Sequence, residues 1–138
     1  MTPALLLDTC AVLWIVSGDG IAPEAEDEIN ARATDPAGLR VSPITAWELG
    51  LLAARGRLAA AMAPAAIFRA ILDLPGVRMA EMPPEVLLDS STLPGAPPND
   101  PADRIVIATA RAQGLRVMTR DRRILSYADA GFVQAVPC

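Results

Sequence analysis

Four acidic residues of this 138-residue chain stand where a fold could bring their carboxylates together. Asp8 and Asp121 each follow a short apolar run that is typical of a buried parallel strand, and Glu48 and Asp103 fall near the starts of predicted helices. Open α/β sheets place their active sites beyond the carboxyl ends of such strands. Because clustered carboxylates repel one another unless cations hold them, the four acids indicate a divalent-metal site.

The composition limits the chemistry that such a site could perform. Histidine is absent and all 12 basic residues are arginine, which excludes Ser-His-Asp triads, His-ligated zinc, Schiff-base lysines and the P-loop lysine. The two cysteines, Cys10 and Cys138, form neither a CxxC motif nor a disulfide framework, and Cys10 is interpreted as a small buried hydrophobic residue. Oxygen ligands without His or Cys suit Mg²⁺ or Mn²⁺.

Three of the acids also have a purely structural explanation. Asp8 lies between a strand and a helix, where it could simply be an N-cap, and Asp121 could belong to a turn. Asp100 is a good cap candidate because Pro101 follows it, and Asp103 then fits the acidic position of a capping box. The joint arrangement, with carboxylates from separate parts of the chain, favours a site.

Glu48 is harder to explain as a structural residue. It shares a helix face with apolar residues such as Ile44, where an unpaired carboxylate would be costly. Arg55 projects in a similar direction and could pair with it, which is the structural alternative. Trp14 and Trp47 are interpreted as core residues.

The charge distribution is uneven along the chain. A net charge of −4 and a pI near 4.7 argue against general electrostatic attraction to nucleic acid. Half of the positive charge, however, lies within 20 residues around Asp103 and Asp121. This cluster is either an ordinary solvated face or a rim that contacts phosphate. Its members are Arg104, Arg111, Arg116, Arg120, Arg122 and Arg123.

Alternating strands and helices predict an α/β fold with a mostly parallel central sheet of four to five strands and helices on both faces. The predicted strands cover residues 5–7, 39–41, 77–79 and 116–119, with an edge strand at 132–135. The predicted helices cover residues 11–16, 23–34, 44–55, 63–74, 83–88 and 101–113, with a short one near 124–125.

Length and composition predict one compact domain over residues 1–138, because 52% apolar residues can supply a core of the usual size. The apolar runs are shorter than the ~20 residues that a membrane span requires. The first residues lack the basic region of a signal peptide. We therefore expect a cytoplasmic protein without a membrane segment.

Four segments resemble the successive motifs of PIN-domain ribonucleases, and the nearest branch is the VapC toxins of bacterial toxin–antitoxin pairs. The segments are LLLDT at 5–9, SPITAWEL at 42–49, DPADRIVIATA at 100–110 and VMTRDRRIL at 117–125. Their order and spacing are more specific than any one of them. The resemblance implies a PIN-like fold, and it carries the acidic quartet of the family to Asp8, Glu48, Asp103 and Asp121.

The resemblance also implies an activity and a set of roles. Asp8 and Asp103 would be the main Mg²⁺ or Mn²⁺ ligands, and Asp121 and Glu48 would complete the site directly or through water. The implied reaction is endoribonuclease cleavage that leaves a 5′-phosphate and a 3′-hydroxyl. The implied partners are RNA, a VapB-like antitoxin that covers the cleft, and a second copy in a homodimer. Thr9 and Thr119 would orient the carboxylates, and Arg104, Arg120, Arg122 and Arg123 are candidate contacts to the RNA backbone.

Two positions outside the acidic quartet depart from the family pattern, and the change bears on substrate contacts or pH response more than on metal binding. Related chains often carry His two residues after the first Asp, where this chain has Cys10, and His shortly before the Asp-Pro motif, where it has Pro98 and Asn99. The alternative function is a non-catalytic PIN-like scaffold that binds RNA or a protein, although such a scaffold would be expected to lose one of the four acids. Affinity for divalent metal separates the two hypotheses.

Overall fold

The computed structural model describes residues 3–18, 20–58 and 62–138. Five strands form one sheet in the order β3-β2-β1-β4-β5, and every neighbouring pair is parallel. The predicted parallel α/β architecture is therefore confirmed. The strands are β1 (Leu5–Leu7), β2 (Leu39–Val41), β3 (Val77–Met79), β4 (Arg116–Thr119) and β5 (Gln134–Pro137).

Most helices begin at a proline, which favours the first helical position because its φ is already helical and it has no N–H to leave unpaired. Glycines in the left-handed conformation, Gly18 and Gly114, end two of the helices. None of the described helices is long and apolar enough to cross a membrane. The helices are α1 (Thr9–Ser17), α2 (Pro23–Arg32), α3 (Pro43–Ala54), α4 (Pro64–Leu72), α5 (Pro84–Ser90), α6 (Pro101–Gln113) and α7 (Arg122–Asp129).

Successive side chains of β1 point to opposite faces of the sheet and join different cores. Leu5 and Leu7 pack in one core with residues of α1, α3 and α4, whereas Leu6 packs in the other with residues of α6 and α7. Helices therefore cover both faces, which is why all three leucines are at most 1% exposed.

The strand order fixes where the ends of β1 and β4 meet. The chain runs outward from β1 through β2 to β3 and then crosses to β4 on the other side of β1. The crevice beyond the carboxyl ends of β1 and β4 is thus a topological switch point, the usual ligand site of such sheets. The backbone N–H of Asp8 donates to Met118 O at 3.0 Å, which ties the end of β1 to β4.

Some sequence predictions are wrong in detail. The edge strand begins at Gln134, two residues later than predicted, because Phe132 stacks on Tyr127 instead, with ring centroids 5.0 Å apart. Pro137 is tolerated in β5 because an edge strand does not need every N–H. Trp47 is not a core residue, since 53% of its surface is exposed. Helix α7 contains the short helix predicted near residues 124–125 and extends it to eight residues, Arg122–Asp129.

The buried guanidinium of Arg32 anchors the end of α2 to the rest of the domain. Arg32 is 4% exposed, pairs with Glu28, and donates from Nε to Pro3 O at 2.9 Å. We expect Glu28→Gln to lower the free energy of unfolding by about 2 kcal/mol, because it removes the countercharge of a buried guanidinium. Urea denaturation measures the change. Glu26→Gln, an exposed change on the same helix, is the control, and equal midpoints for the two variants would contradict the prediction.

Candidate active site

All four predicted acids line one cleft of about 380 Å³ at the switch point. The strand ends deliver Asp8 and Asp121, while Glu48 comes from the first half of α3 and Asp103 from the first turn of α6. The sheet and two helices thus bring together carboxylates that lie far apart in sequence. The complete lining is Asp8, Thr9, Cys10, Leu13, Glu48, Leu52, Asp103, Arg120 and Asp121.

Asp8 is both a helix cap and a cleft residue. It is the N-cap of α1, and its Oδ1 accepts a hydrogen bond from the backbone N–H of Thr9, the first residue of that helix, at 2.9 Å. Its Oδ2 accepts from Thr119 Oγ1 at 2.7 Å. The residue is only 5% exposed. Burial raises the pKa of Asp8, and the hydrogen bonds from Thr119 and Thr9 oppose that rise. Capping alone does not require such burial, so the cap explanation is incomplete.

Glu48 is held by a hydroxyl rather than by an arginine. Thr9 Oγ1 donates to Glu48 Oε1 at 2.6 Å and also lies 3.2 Å from Thr45 Oγ1. Arg55 is exposed, and no ion pair joins it to Glu48 within the described ranges. Burial is the main cause that raises the pKa of Glu48 to about 7, and the negative charge of Asp8 adds to it. The pairing with Arg55 that the sequence left open is therefore wrong.

Asp103 lies at the electrostatic centre of the cleft. Burial is the main cause that raises its pKa to about 8, and the charges of Asp8, Asp100, Asp121 and Glu48 contribute to the same rise. Among the described residues, no hydrogen bond to its carboxylate is found. Asp100 Oδ1 accepts from the Asp103 N–H at 3.1 Å, so Asp100 is the cap of α6, but the reciprocal bond of a capping box is missing.

Asp100 is a fifth carboxylate that the sequence analysis treated only as a cap. Ligand oxygens of Glu48, Asp100 and Asp103 all lie within 4.8 Å of one another. The spacing Asp-Pro-x-Asp could have indicated this, because residues three apart lie on the same side of a helix. Asp100 is exposed and borders the cleft from outside.

Asp121 is fixed by its neighbours in the turn between β4 and α7. Its Oδ1 accepts from the N–H groups of Arg123 at 2.8 Å and Ile124 at 3.3 Å. Its own N–H donates to Thr119 Oγ1 at 3.0 Å. The Thr119 hydroxyl therefore links Asp8 and Asp121, the two acids that flank the switch point.

Cys10 is not the buried hydrophobic residue that the sequence predicted. Its Sγ accepts a hydrogen bond from the Arg120 N–H at 3.4 Å and lies 3.6 Å from Asp8 Oδ2 and 3.7 Å from Thr119 Oγ1. A hydrogen bond with Cys138, burial and the charge of Asp8 raise the pKa of the Cys10 thiol. The thiol form of Cys10 is therefore favoured in the metal-free protein, and the other ionisable groups that line the cleft next to it are carboxylates and the guanidinium of Arg120.

Two of the candidate RNA-contacting arginines have structural partners. The Arg120 guanidinium lies 3.7 Å above the ring of Trp14, and its Nε donates to Cys138 O at 2.7 Å. Arg104 Nε donates to Pro98 O at 2.7 Å. Arg122 and Arg123, by contrast, are exposed. Arg104 and Arg120 therefore bind parts of the protein next to the site, whatever contact they make with RNA.

The donor set fits a metal centre. Several carboxylates share one cleft, and the pKa values of Asp103 and Glu48 are raised partly by the negative charge of their neighbours. A divalent cation would remove that repulsion, and carboxylate oxygens are ligands that hard cations prefer. Asp8, Asp103 and Asp121 remain the predicted ligands. Among the described residues, the carboxylates that lie within 4.8 Å of one another are those of Glu48, Asp100 and Asp103.

Comparisons with known proteins find similar sequences over most of the chain. The PIN domain family model matches residues 5–130. The chain is 32% identical over 127 residues to Ribonuclease VapC22 of Mycobacterium tuberculosis, covering 92% of this chain and 93% of that protein.

Solved structures of toxin–antitoxin proteins share the fold. VapBC2 from Rickettsia felis, bound to a DNA fragment from its promoter, superposes with a TM-score of 0.68 at 10% identity and covers 97% of this chain and 98% of that chain. VapC20 of Mycobacterium tuberculosis, a toxin that cleaves the sarcin-ricin loop, gives a TM-score of 0.60 at 20% identity, with 95% and 98% covered. A toxin–antitoxin complex from Klebsiella pneumoniae gives 0.60 at 21% identity, with 96% of each chain covered.

Proposed function

Because this chain belongs to the PIN domain family, we propose that it is a metal-dependent endoribonuclease, the toxin of a VapC-type toxin–antitoxin pair. The observation that carries the proposal is the convergence of Asp8, Glu48, Asp103 and Asp121 on one cleft at the switch point of the sheet. The ribonuclease name of a relative that matches nearly the full length supports the reaction class. The single PIN domain is proposed to span residues 1–138.

Asp8, Asp103 and Asp121 are proposed to hold Mg²⁺ or Mn²⁺, with Glu48 completing the site directly or through water. When bound, such an ion supplies a Lewis acid for phosphodiester hydrolysis and neutralises the cleft for a polyanionic substrate. The chain itself supplies orientation. The hydroxyl of Thr119 holds Asp8, and that of Thr9 holds Glu48, so that each carboxylate keeps one direction before any ligand arrives.

The proposed partners follow from the same family membership. Chains of similar fold occur in VapBC2 from Rickettsia felis and in a toxin–antitoxin complex from Klebsiella pneumoniae. This supports a VapB-like antitoxin as the partner of this chain. The exposed ring of Trp47 stands next to Glu48 in sequence and offers apolar surface for a protein that covers the cleft. A homodimer and action on RNA in the cytoplasm complete the proposal.

RNA cleavage by purified, antitoxin-free protein tests the function. We expect the wild type to cut a mixture of structured transfer and ribosomal RNAs with Mg²⁺ or Mn²⁺ and to be inactive in EDTA. Asp8→Asn should lose cleavage, because it weakens a buried metal ligand while keeping the side-chain shape. Asp27→Asn, an exposed change on α2 purified in parallel, controls for contaminating ribonuclease.

Equal cleavage by the wild type and Asp8→Asn would contradict the catalytic assignment of the cleft. Calorimetric titration with Mn²⁺ then decides about the alternative. A protein that binds RNA, fails to bind Mn²⁺ and does not cleave would be the PIN-like scaffold, with its carboxylates acting only as caps.

A further inference from the structure

A groove of about 610 Å³ lies beside the cleft and contains none of the predicted metal ligands. One wall is the loop at residues 96–99, and the other is formed by Arg122 and Arg123 at the start of α7, with Phe132 nearby. We infer that this groove binds the single-stranded RNA segment adjacent to the bond that is cleaved. The inference rests on the proposed function and adds a location for the substrate strand.

The groove is continuous with the carboxylates through the chain itself. The loop wall ends at Asn99, which directly precedes Asp100, and the helix wall begins at Arg122, which directly follows Asp121. Both walls therefore start at residues that border or line the cleft. If one phosphate of an RNA strand occupies the cleft, the adjacent part of the strand can therefore contact the groove.

The charges of the groove are available for a ligand. Of the six arginines around the acidic motifs, four have partners: Arg104, Arg111 and Arg120 donate to carbonyl groups, and Arg116 lies 3.7 Å from Glu28. For the side chains of Arg122 and Arg123, no hydrogen bond or ion pair is found within the described residues. No acidic residue lines the groove. Two uncommitted guanidinium groups without a countercharge are suited to phosphate.

The loop wall is held in place before any ligand binds. Tyr127 Oη donates to Pro94 O at 2.5 Å, and Arg104 Nε donates to Pro98 O. Gly95 has φ of 71°, and a Cβ there would lie 2.5 Å from Phe132 Cε2, so the loop backbone packs directly on that ring. A preformed wall lowers the ordering cost of binding.

The surface chemistry favours a nucleotide strand over a simple anion. Pro97 and Phe132, both half-buried, supply apolar surface in the same groove as the two arginines. Single-stranded nucleic acid is recognised in this way, with bases against apolar or aromatic surface and phosphates against basic side chains. A free phosphate would use only the arginines.

RNA affinity, measured without cleavage, tests the inference. Asp8→Asn protein with Mg²⁺ is titrated against a fluorescein-labelled, random-sequence single-stranded 20-mer RNA, and anisotropy gives Kd over a range of KCl concentrations. The added double change Arg122→Ala/Arg123→Ala should raise Kd roughly tenfold. It should also reduce the slope of log affinity against log salt by about 1.4, because each phosphate contact on a single strand contributes about 0.7.

The matched control is Arg69→Ala/Arg78→Ala, which removes two exposed arginines on α4 and β3, toward the other edge of the sheet. Equal Kd values and slopes for the two double variants would overturn the inference. Unchanged RNA affinity with weaker binding of a VapB-like antitoxin would assign the groove to a protein segment instead.

The cleavage assay of the wild-type protein, compared with RNA binding by the groove variant, separates this inference from the proposed function. Cleavage by the wild type together with control-like RNA binding by the groove variant would refute the groove alone. Absence of cleavage together with lost RNA binding in the groove variant would refute the nuclease and keep the groove as an RNA site.

Discussion

Asp103→Asn is expected to lower the rate of RNA cleavage by on the order of 10³-fold or more. The same change should make the metal-free protein more stable. Both effects have one cause. Burial opposes the ionisation of Asp103, and so do the negative charges of Asp8, Asp100, Asp121 and Glu48, which a bound cation would balance. An amide of the same shape removes the repulsion and the metal ligand together.

The stability gain should depend on pH. In the folded protein the pKa of Asp103 is raised to about 8, from 3.8 for an ordinary Asp. The folded state therefore holds a proton that the unfolded state releases, and the unfolding free energy of the metal-free wild type falls as pH rises from about 4 to about 8. Relative to wild type, Asp103→Asn should gain about 2 kcal/mol at pH 8, after allowance for solvent screening, and almost nothing at pH 4.

Thermal denaturation in EDTA at several pH values measures this difference, because other titrating groups cancel between the two proteins. Mg²⁺ should then raise the Tm of the wild type at pH 8 but not that of Asp103→Asn. Asp27→Asn is the charge control and should follow the wild type. A variant that is less stable than wild type at pH 8 would show that Asp103 has a structural role instead.

The sequence located the acids because strand ends and helix starts follow from local patterns. Asp8 after Leu5–Leu7 and Asp121 after Arg116–Thr119 needed only the recognition of two apolar runs, and parallel pairing then places such ends at one edge of the sheet. The apolar neighbours of Glu48 on its helix could also be predicted from the sequence. Its place in the acidic site came from the family resemblance.

The partners of these acids could not be read in the same way. Glu48 pairs with Thr9, a residue 39 positions away, rather than with Arg55 on its own helix. Sequence periodicity describes one helix at a time, so it favours partners within the helix and misses those that tertiary packing supplies. Cys10 was misjudged for the same reason, because its polar contacts come from the neighbouring strand end at Thr119 and Arg120.

The arginines show a related limit. The sequence shows a cluster of arginines near Asp103 and Asp121. It does not show which of their guanidinium groups bind other groups of the protein in the folded state. Arg120 lies on Trp14 and binds Cys138 O, whereas Arg122 and Arg123 remain exposed. A guanidinium group is available for a ligand only where folding has not brought a backbone carbonyl group or an aromatic ring against it. These contacts cannot be predicted from the pattern of charges in the sequence.

Thr119→Val is the second change for which we expect a large effect, because one buried hydroxyl serves two acids. Thr119 is 0% exposed, donates to Asp8 Oδ2 at 2.7 Å and accepts from the Asp121 N–H at 3.0 Å. Valine keeps the shape but leaves both groups without this partner. We expect a loss of roughly 10- to 100-fold in cleavage rate and of about 1–3 kcal/mol in the free energy of unfolding.

Two readouts separate positioning of Asp8 from a general loss of stability. The hydrogen bond from Thr119 lowers the pKa of Asp8 against the effect of burial, so without it that pKa rises, and the acid limb of the pH–rate profile should move to higher pH. The Mg²⁺ concentration for half-maximal activity should rise as well. Thr119→Ser, which keeps the hydroxyl, should restore both, whereas a variant that lost only stability would keep the wild-type pH profile. An unshifted profile in Thr119→Val would mean that the bond to Asp8 is not needed for catalysis, and the orientation of Asp8 would then rest on its contacts with the Thr9 N–H and Cys10 Sγ.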